Sequence, residues 1–294
     1  MKLLFSQKNS IIHSMHSLSI LIWALSITLA ALLFSHPLFL LSLFFSVLLV
    51  IIASKSLKEW LSLLKFFVFM ALLIVFINSF ASQYGASSFS LLPVSIESIA
   101  YGLNMALRLV IIVSAFSVFT FTANPDHLLN ALSQSGLPFK FLLVLMLSLR
   151  FVPVLSTEAE TIRQAQQVRG LSIEKAPFIE RTKKSFYFLF PMLFSSMEKS
   201  VSLSESMESR AFGSKKRSHY NAKKLSSRDL IAIIFCIIFA AFSFYLIFNN
   251  IGVFSFYPQM QSINLPQTEF ISLFAVFILS ASIILISMVK KLIQ

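Results

Sequence analysis

Two arginines occupy matching settings in this chain. Arg169 lies in the stretch AQQVRG at 165–170, and Arg210 lies in SMESRAFG at 206–213. Each stands beside a glycine or small residue at the end of a polar segment, about forty residues from the other. A guanidinium offers a rigid fork of N–H donors that matches a carboxylate two bonds at a time. Arginines so placed suit docking on an acidic partner. They also suit a plainer role, as cations favoured by the negative end of a helix dipole. The residues alone leave both open.

Other residues with chemical capacity carry less. His13 and His16 have metal-like spacing, but no cysteine or carboxylate nearby completes a ligand set, so no metal is expected and an interfacial role is. Arg108 falls inside an apolar run, where a cation is costly and needs a partner; Asn78 and Asn104 are the candidates. The single Cys236 lies in another run and reads as packing. With six glycines and no G-x-x-x-x-G-K-[ST] stretch, the chain has no phosphate loop, and neither a cofactor nor ATP hydrolysis is expected of it. An integral membrane enzyme, for example a lipid transferase using His13 or Asp126, is the alternative. It would gather acids and bases at one depth, whereas the twelve acidic residues are scattered.

The elements that must position the arginines follow from composition. The chain has 294 residues, 57% hydrophobic and only 12% charged, with mean hydropathy +0.83. Soluble domains carry about 25% charged residues. The reading is an all-α integral membrane protein, a polytopic helical bundle with long amphipathic cytoplasmic coupling helices. Apolar runs at 18–53 (broken by SHP at 35–37), 61–80, 98–121, 229–248 and 270–289 give the spans. Lys55, Lys58 and Trp60 read as an interfacial anchor. FLLVLMLSLRFVPVL, with Arg150 and Pro153, is too short for an easy span. The net charge of +12 sits beside the apolar runs, which excludes a nucleic-acid surface and points to topology. Loops near 81–97 and 249–268 hold no Lys or Arg, while 54–60, 122–228 and 290–294 hold most of them. The expected arrangement is a cytoplasmic N-terminus with N-terminal spans over 1–122, a coupling region over 123–228 and C-terminal spans over 229–294.

Within the coupling region, STEAETIRQAQQVRG predicts a helix capped at Ser156 or Thr157 and stopped at Gly170. A second helix is expected from near Pro191 to about Arg210, with Gly213 just beyond. Ser196, Ser200 and Ser204 recur every fourth position, and small residues so spaced let two helices cross closely.

These pieces together resemble a known family. AQQVRG is similar to a first motif, an Ala-Arg-Gly tripeptide after Ala-Gln. SMESRAFG is similar to a second, usually Ala-Met-Glu-x-Arg-Gly-Phe-Gly. NPDHLLNALSQSGLP and LRFVP resemble the stretch leading into the first motif. The family is the T component, the transmembrane coupling subunit, of energy-coupling factor transporters, which includes cobalt permease subunits. The resemblance covers roughly 11–228. The tripeptides here are Val168-Arg169-Gly170 and Ser209-Arg210-Ala211, so both arginines remain, the flanking Ala is lost from both, and the second Gly is Ala. Two spans follow the second motif where the pattern has about one.

The resemblance implies partners in a prokaryotic plasma membrane. Two cytoplasmic ABC-type ATPases would receive the two tripeptides in grooves, with Arg169 and Arg210 paired to acids. Their closure would move the crossed helices. That motion would tilt a separate membrane-embedded S component carrying a vitamin or metal ion.

Overall fold

The computed structural model describes residues 12, 15–81, 95–123, 128–129, 138–170, 178–213, 226–256, 261 and 266–293. The regular elements among them are α-helices. The protein is a multi-pass membrane protein built from two units.

The first unit contains six helices: α1 (Ser17–Leu33), α2 (Pro37–Ala53), α3 (Leu57–Ala81), α4 (Ile96–Thr122), α7 (Ser227–Phe248) and α8 (Gln267–Ile293). The second contains α5 (Phe139–Val168) and α6 (Phe178–Ser209). Helices α3, α4, α5, α7 and the first part of α8 are long and apolar enough to cross a membrane. Helices α1 and α2 have 17 residues each. At 1.5 Å per residue each is roughly 25 Å long, slightly less than a bilayer core.

Local chemistry sets the ends. The break at Ser35–Pro37 falls where the sequence predicts it, with Pro37 opening α2, where its missing N–H costs nothing. Both short helices start with a histidine cap. His16 Nδ1 accepts from Leu18 N–H and His36 Nδ1 from Leu38 N–H, each at 3.3 Å. Ser95 caps α4 by accepting from Ser98 N–H at 3.2 Å. In the first turn of α7, Asp229 Oδ2 accepts from Ser226 N–H at 3.2 Å.

Helices α1 and α2 are the buried centre of the first unit, contributing Trp23, Ile27, Phe39 and Leu43 to its core. Helix α1 packs on α4 and α7, α2 on α4 and α8, and α3 along α4. Small residues serve the close approaches. Ser46 of α2 is fully buried, and a Cβ on Gly102 of α4 would lie 3.1 Å from the Val75 Cα of α3. Trp60, expected as an interfacial anchor, is instead buried, its indole N–H donating to Ser114 Oγ at 2.9 Å. The outer surface of α3 exposes Phe66, Phe69, Leu72 and Phe76, as a lipid-facing helix must.

Helices α1 and α7 run in the same direction, and α4 runs against them. Helix α1 starts where α7 starts, because His16 N–H donates to Asp229 Oδ1 at 3.0 Å. It ends where α7 ends, because Ser35 and His36 N–H both donate to Gly252 O at 3.0 Å. Helix α4 starts at that second end, with Tyr101 ring-to-ring against Phe256. Arg108 lies near it. Its partners differ from the expected Asn78 and Asn104: one guanidinium nitrogen donates to Phe34 O at 2.9 Å, and Asn104 separately donates to Ser35 O at 2.9 Å. Both groups thereby cap the carbonyl end of α1, where orphan acceptors and the helix dipole favour a cation.

In the second unit the helices are longer than expected. Helix α5 is continuous from Phe139 through Pro153 to Val168. Ser156 and Thr157 are therefore mid-helix, not caps. Their hydroxyls donate back to Pro153 O and Val154 O at 2.7 and 2.8 Å. Helix α6 begins at Phe178, thirteen residues before Pro191, which it also absorbs. A proline removes only one ladder bond, and the helical pattern on either side of each is strong enough to continue across it.

Candidate functional site

The expected docking residues lie at the C-terminal ends of α5 and α6. Helix α5 ends at Val168, and Arg169 is its cap residue, with φ −79° and ψ 8°. Gly170 follows with φ +83°, and its N–H donates to Gln167 O at 3.0 Å. This is the left-handed stop expected from the sequence. Nothing among the described residues lies within 4 Å of where a Gly170 side chain would begin.

The α6 end is built more tightly. Ala211 N–H donates to Glu208 O and Phe212 N–H to Met207 O, both at 2.9 Å. These two bonds form a Schellman turn around Ser209 and Arg210. The turn requires a left-handed residue, and Ala211 fills that place with φ +56°. A Cβ in this conformation costs about 1–2 kcal/mol relative to glycine. The strain thus falls at a position where the chain departs from the resembled motif, with Ala211 in the place of Gly. Gly213 is also left-handed, with φ +107° and nothing within 4 Å of its Cβ position.

Arg169 and Arg210 are both exposed. Among the described residues neither makes an ion pair or side-chain hydrogen bond. Arg163, one turn before the α5 end, differs: it is held by Glu160 at 3.0 Å. Each guanidinium stands at a helix C-terminus that also presents orphan carbonyls.

Contact between α5 and α6 passes through Glu158, which accepts from Ser195 Oγ and pairs with Lys199. Gln166 Nε2 adds a donation to Tyr187 O at 3.4 Å. The serine row expected at the crossing lies beside this seam. Ser196 is half-buried, Ser200 and Ser204 are exposed, and the Ser196 and Ser200 hydroxyls bond back to Leu193 O and Ser196 O. Ser195 and Lys199 were missed because a polar side chain reaching across has no period in the sequence. Both helices expose apolar surface, including Phe141, Val144 and Val152 on α5 and Phe190, Phe194, Met197 and Val201 on α6.

Of the candidates for other chemistry, His13 and Asp126 lie outside the described residues. His16 is a buried helix cap. No group of three metal-ligating side chains occurs among the described residues.

The sequence pattern of the cobalt transport protein family, CbiQ, matches residues 8–220 and so contains both arginine ends. The chain belongs to this family. It is 33% identical over 148 residues to the energy-coupling factor transporter transmembrane protein EcfT of Clostridium kluyveri, covering 47% of this chain and 55% of that one. To EcfT of Bacillus subtilis it is 31% identical over 154 residues, 49% of this chain and 58% of the relative. To EcfT of Thermosediminibacter oceani it is 28% identical over 195 residues, 63% and 73% of the two chains. The chain spans just over half the length of the first two relatives. Both lines of similarity agree with the resemblance to the T component carried by the two motifs. Helices α7 and α8 follow the region the family pattern matches.

Proposed function

We propose that this chain is the coupling subunit of an ECF-type importer in a prokaryotic plasma membrane, a scaffold without catalysis of its own. Two cytoplasmic ATPases dock on it, one at Val168-Arg169-Gly170 and the other at Ser209-Arg210-Ala211. ATP-driven closure of the pair moves α5 and α6. A separate membrane-embedded S component, carrying a vitamin or metal ion, responds to that motion. The observation that carries this reading is the pair of exposed arginines, without a side-chain partner among the described residues, each followed by a left-handed residue that ends its helix. The similarity to EcfT proteins supports it.

The physical logic is electrostatic and geometric. A guanidinium at a helix end meets a carboxylate in a groove with two parallel bonds, and the stopped helix lets it enter end-on. Truncating one partner of such a desolvated pair costs about 2–5 kcal/mol. Two docked ATPases that dimerise raise each other's effective concentration. Arg169→Ala or Arg210→Ala alone therefore weakens the complex and slows uptake, and the double variant releases the ATPases. Arg→Lys rescues only in part, since an ammonium cannot form the planar fork. Arg163→Ala is the control, because Glu160 already satisfies it. Co-purification of ATPases with each variant, beside uptake in cells, tests the reading. Retention of the ATPases at wild-type level by the double variant would overturn it.

A further inference from the structure

We propose that a groove between α2 and α8 seats one acyl chain of a zwitterionic aminophospholipid, drawn from the leaflet at the end where both helices begin, with Glu269 placed to meet the headgroup ammonium. The groove is formed within the first unit and involves neither arginine end.

Leu38, Leu41, Phe45 and Leu49 of α2 line one side, Leu273 and Phe277 of α8 the other, and the volume is about 570 Å³. Ser42 also lines it, but its hydroxyl donates to Phe39 O at 2.7 Å. The groove therefore suits a hydrocarbon ligand. Leu41, Phe45 and Leu49 are exposed, and on apolar helices of a membrane protein that exposure is to lipid. Dimensions select the occupant. From Leu38 to Leu49 the helix rises about 16 Å, close to the roughly 15 Å that one leaflet contributes to the hydrocarbon core. The groove's volume over that length gives a width of about 7 Å, whereas a partner helix with its side chains needs about 10–12 Å. An extended acyl chain is slimmer than a helix and fits.

Charge sets the headgroup. Leu38 and Leu273 lie within the first two turns of α2 and α8, so the groove reaches the end where both helices start. Glu269 precedes Leu273 by four residues and so stands one turn above it on the same face of α8. The connections at this end, 34–36 and 249–266, contain no Lys or Arg. An ammonium is favoured beside that carboxylate and a net anionic headgroup is not. Lys55 and Lys58 follow the far end of α2, and Lys290 and Lys291 lie in the last turn of α8. An anionic lipid would place its headgroup there, beyond the groove.

Photolabelling tests this on the full chain in vesicles of mixed phosphatidylethanolamine and phosphatidylglycerol. Each lipid is supplied in turn with the same diazirine-bearing acyl chain, and labelled residues are mapped by mass spectrometry. The phosphatidylethanolamine probe should label 38–49 and 273–277 several-fold above the lipid-facing surface of α3 around Phe69 and Phe76. It should also exceed the phosphatidylglycerol probe in the groove by about two- to fivefold, the range of an exposed ion pair. Glu269→Gln should abolish that preference and keep the chain labelling. Leu41→Trp should fill the groove and lower labelling by either probe, while Leu72→Trp on α3 should not. Groove labelling no higher than that of the α3 surface would overturn the proposal, since the groove would then meet only passing lipid. So would equal labelling by the two probes in the wild-type groove, or a preference that survives Glu269→Gln.

Discussion

Gly252 lies against the ring of Phe34: a Cβ on this glycine would sit 2.6 Å from Phe34 Cδ1. The same glycine is left-handed at φ +83°, and its carbonyl receives the Ser35 and His36 N–H groups. One residue from the α7–α8 connection thus locks the α1–α2 turn. Gly252→Ala must displace a fully buried ring and adopt a conformation that costs a Cβ about 1–2 kcal/mol. Overpacking adds about 1–3 kcal/mol. The expected outcome is a marked fall in thermal stability of the detergent-purified protein. Gly170→Ala is the comparison, since it shares the backbone strain but meets no neighbour, and its loss should be the smaller.

His36 gives a pH dependence with a defined sign. Its Nδ1 accepts from Leu38 N–H, so the capping form is the neutral ring with its proton on Nε2. Burial between Phe39 and Phe254 pushes its pKa below the ordinary histidine value. The unfolded chain therefore binds the proton more readily than the folded one. Stability from this group is complete above the unfolded value of about 6.5 and is lost as pH falls toward the lowered folded value. His36→Asn keeps a good cap and cannot titrate. Melting curves from pH 8 to pH 5 should fall more steeply for wild type than for this variant. Parallel curves would remove His36 as the source.

Much of the first unit was legible because long apolar runs have one physical solution in a membrane. The SHP break was legible because the residue before a proline is biased away from helix and Pro37 suits the first turn of the next one. What escaped was long-range. Nothing in the local sequence near Gly252 announces Phe34, and nothing near Trp60 announces Ser114. Pro153 and Pro191 misled in the other direction, since each reads as a boundary and each is absorbed. The arginine ends were legible through their glycines and motif spacing. The turn around Ala211 was not, because alanine carries no signal for a left-handed backbone.

That alanine predicts a gain. Ala211→Gly relieves the Cβ cost at φ +56° and should stabilise the α6 end by about 1 kcal/mol net, after the extra chain entropy of glycine. Ala211→Val should do the reverse, because β-branching is worst in this conformation. Hydrogen exchange at the Ala211 and Phe212 amides reads the turn directly. Slower exchange in the glycine variant and faster exchange in the valine variant are expected, with ATPase retention following the same order.

The α5–α6 seam predicts a contrast between neighbouring serines. Ser195 is half-buried and donates to Glu158, whereas Ser200 and Ser204 are exposed. Ser195→Leu removes that donor and adds bulk at the contact, a change that typically costs about 1–3 kcal/mol. Ser200→Leu and Ser204→Leu should stay within about 0.5 kcal/mol for stability, as exposed substitutions do. Thermal unfolding of the three variants checks this order. A loss of coupled uptake with unchanged stability in the Ser200 or Ser204 variants would instead mark that row as a contact for a moving partner.

The last prediction concerns which side of the membrane the arginines face. Helix α1 rises from His16 to Phe34, α2 returns to Ser54, and α3 and α4 repeat the excursion. The chain therefore leaves the first unit after Ala123 and re-enters it at Ser226 on the same end, the end where His16 meets Asp229. Helix α5 qualifies as a span by length and composition, and α6 does not. The connections 34–36, 82–95 and 249–266 contain no Lys or Arg, whereas 54–60, 122–228 and 290–294 hold most of the basic residues. The basic-residue bias predicts that 54–60, 122–228 and 290–294 are cytoplasmic. With buried Cys236 replaced by Ala, Val253→Cys should react with a membrane-impermeant thiol reagent in intact cells, because Val253 is exposed beside the α7 end. Ser209→Cys, one residue before Arg210, should react only after permeabilisation. Labelling of Ser209→Cys from outside would invert the topology and separate the arginines from any cytoplasmic ATPase.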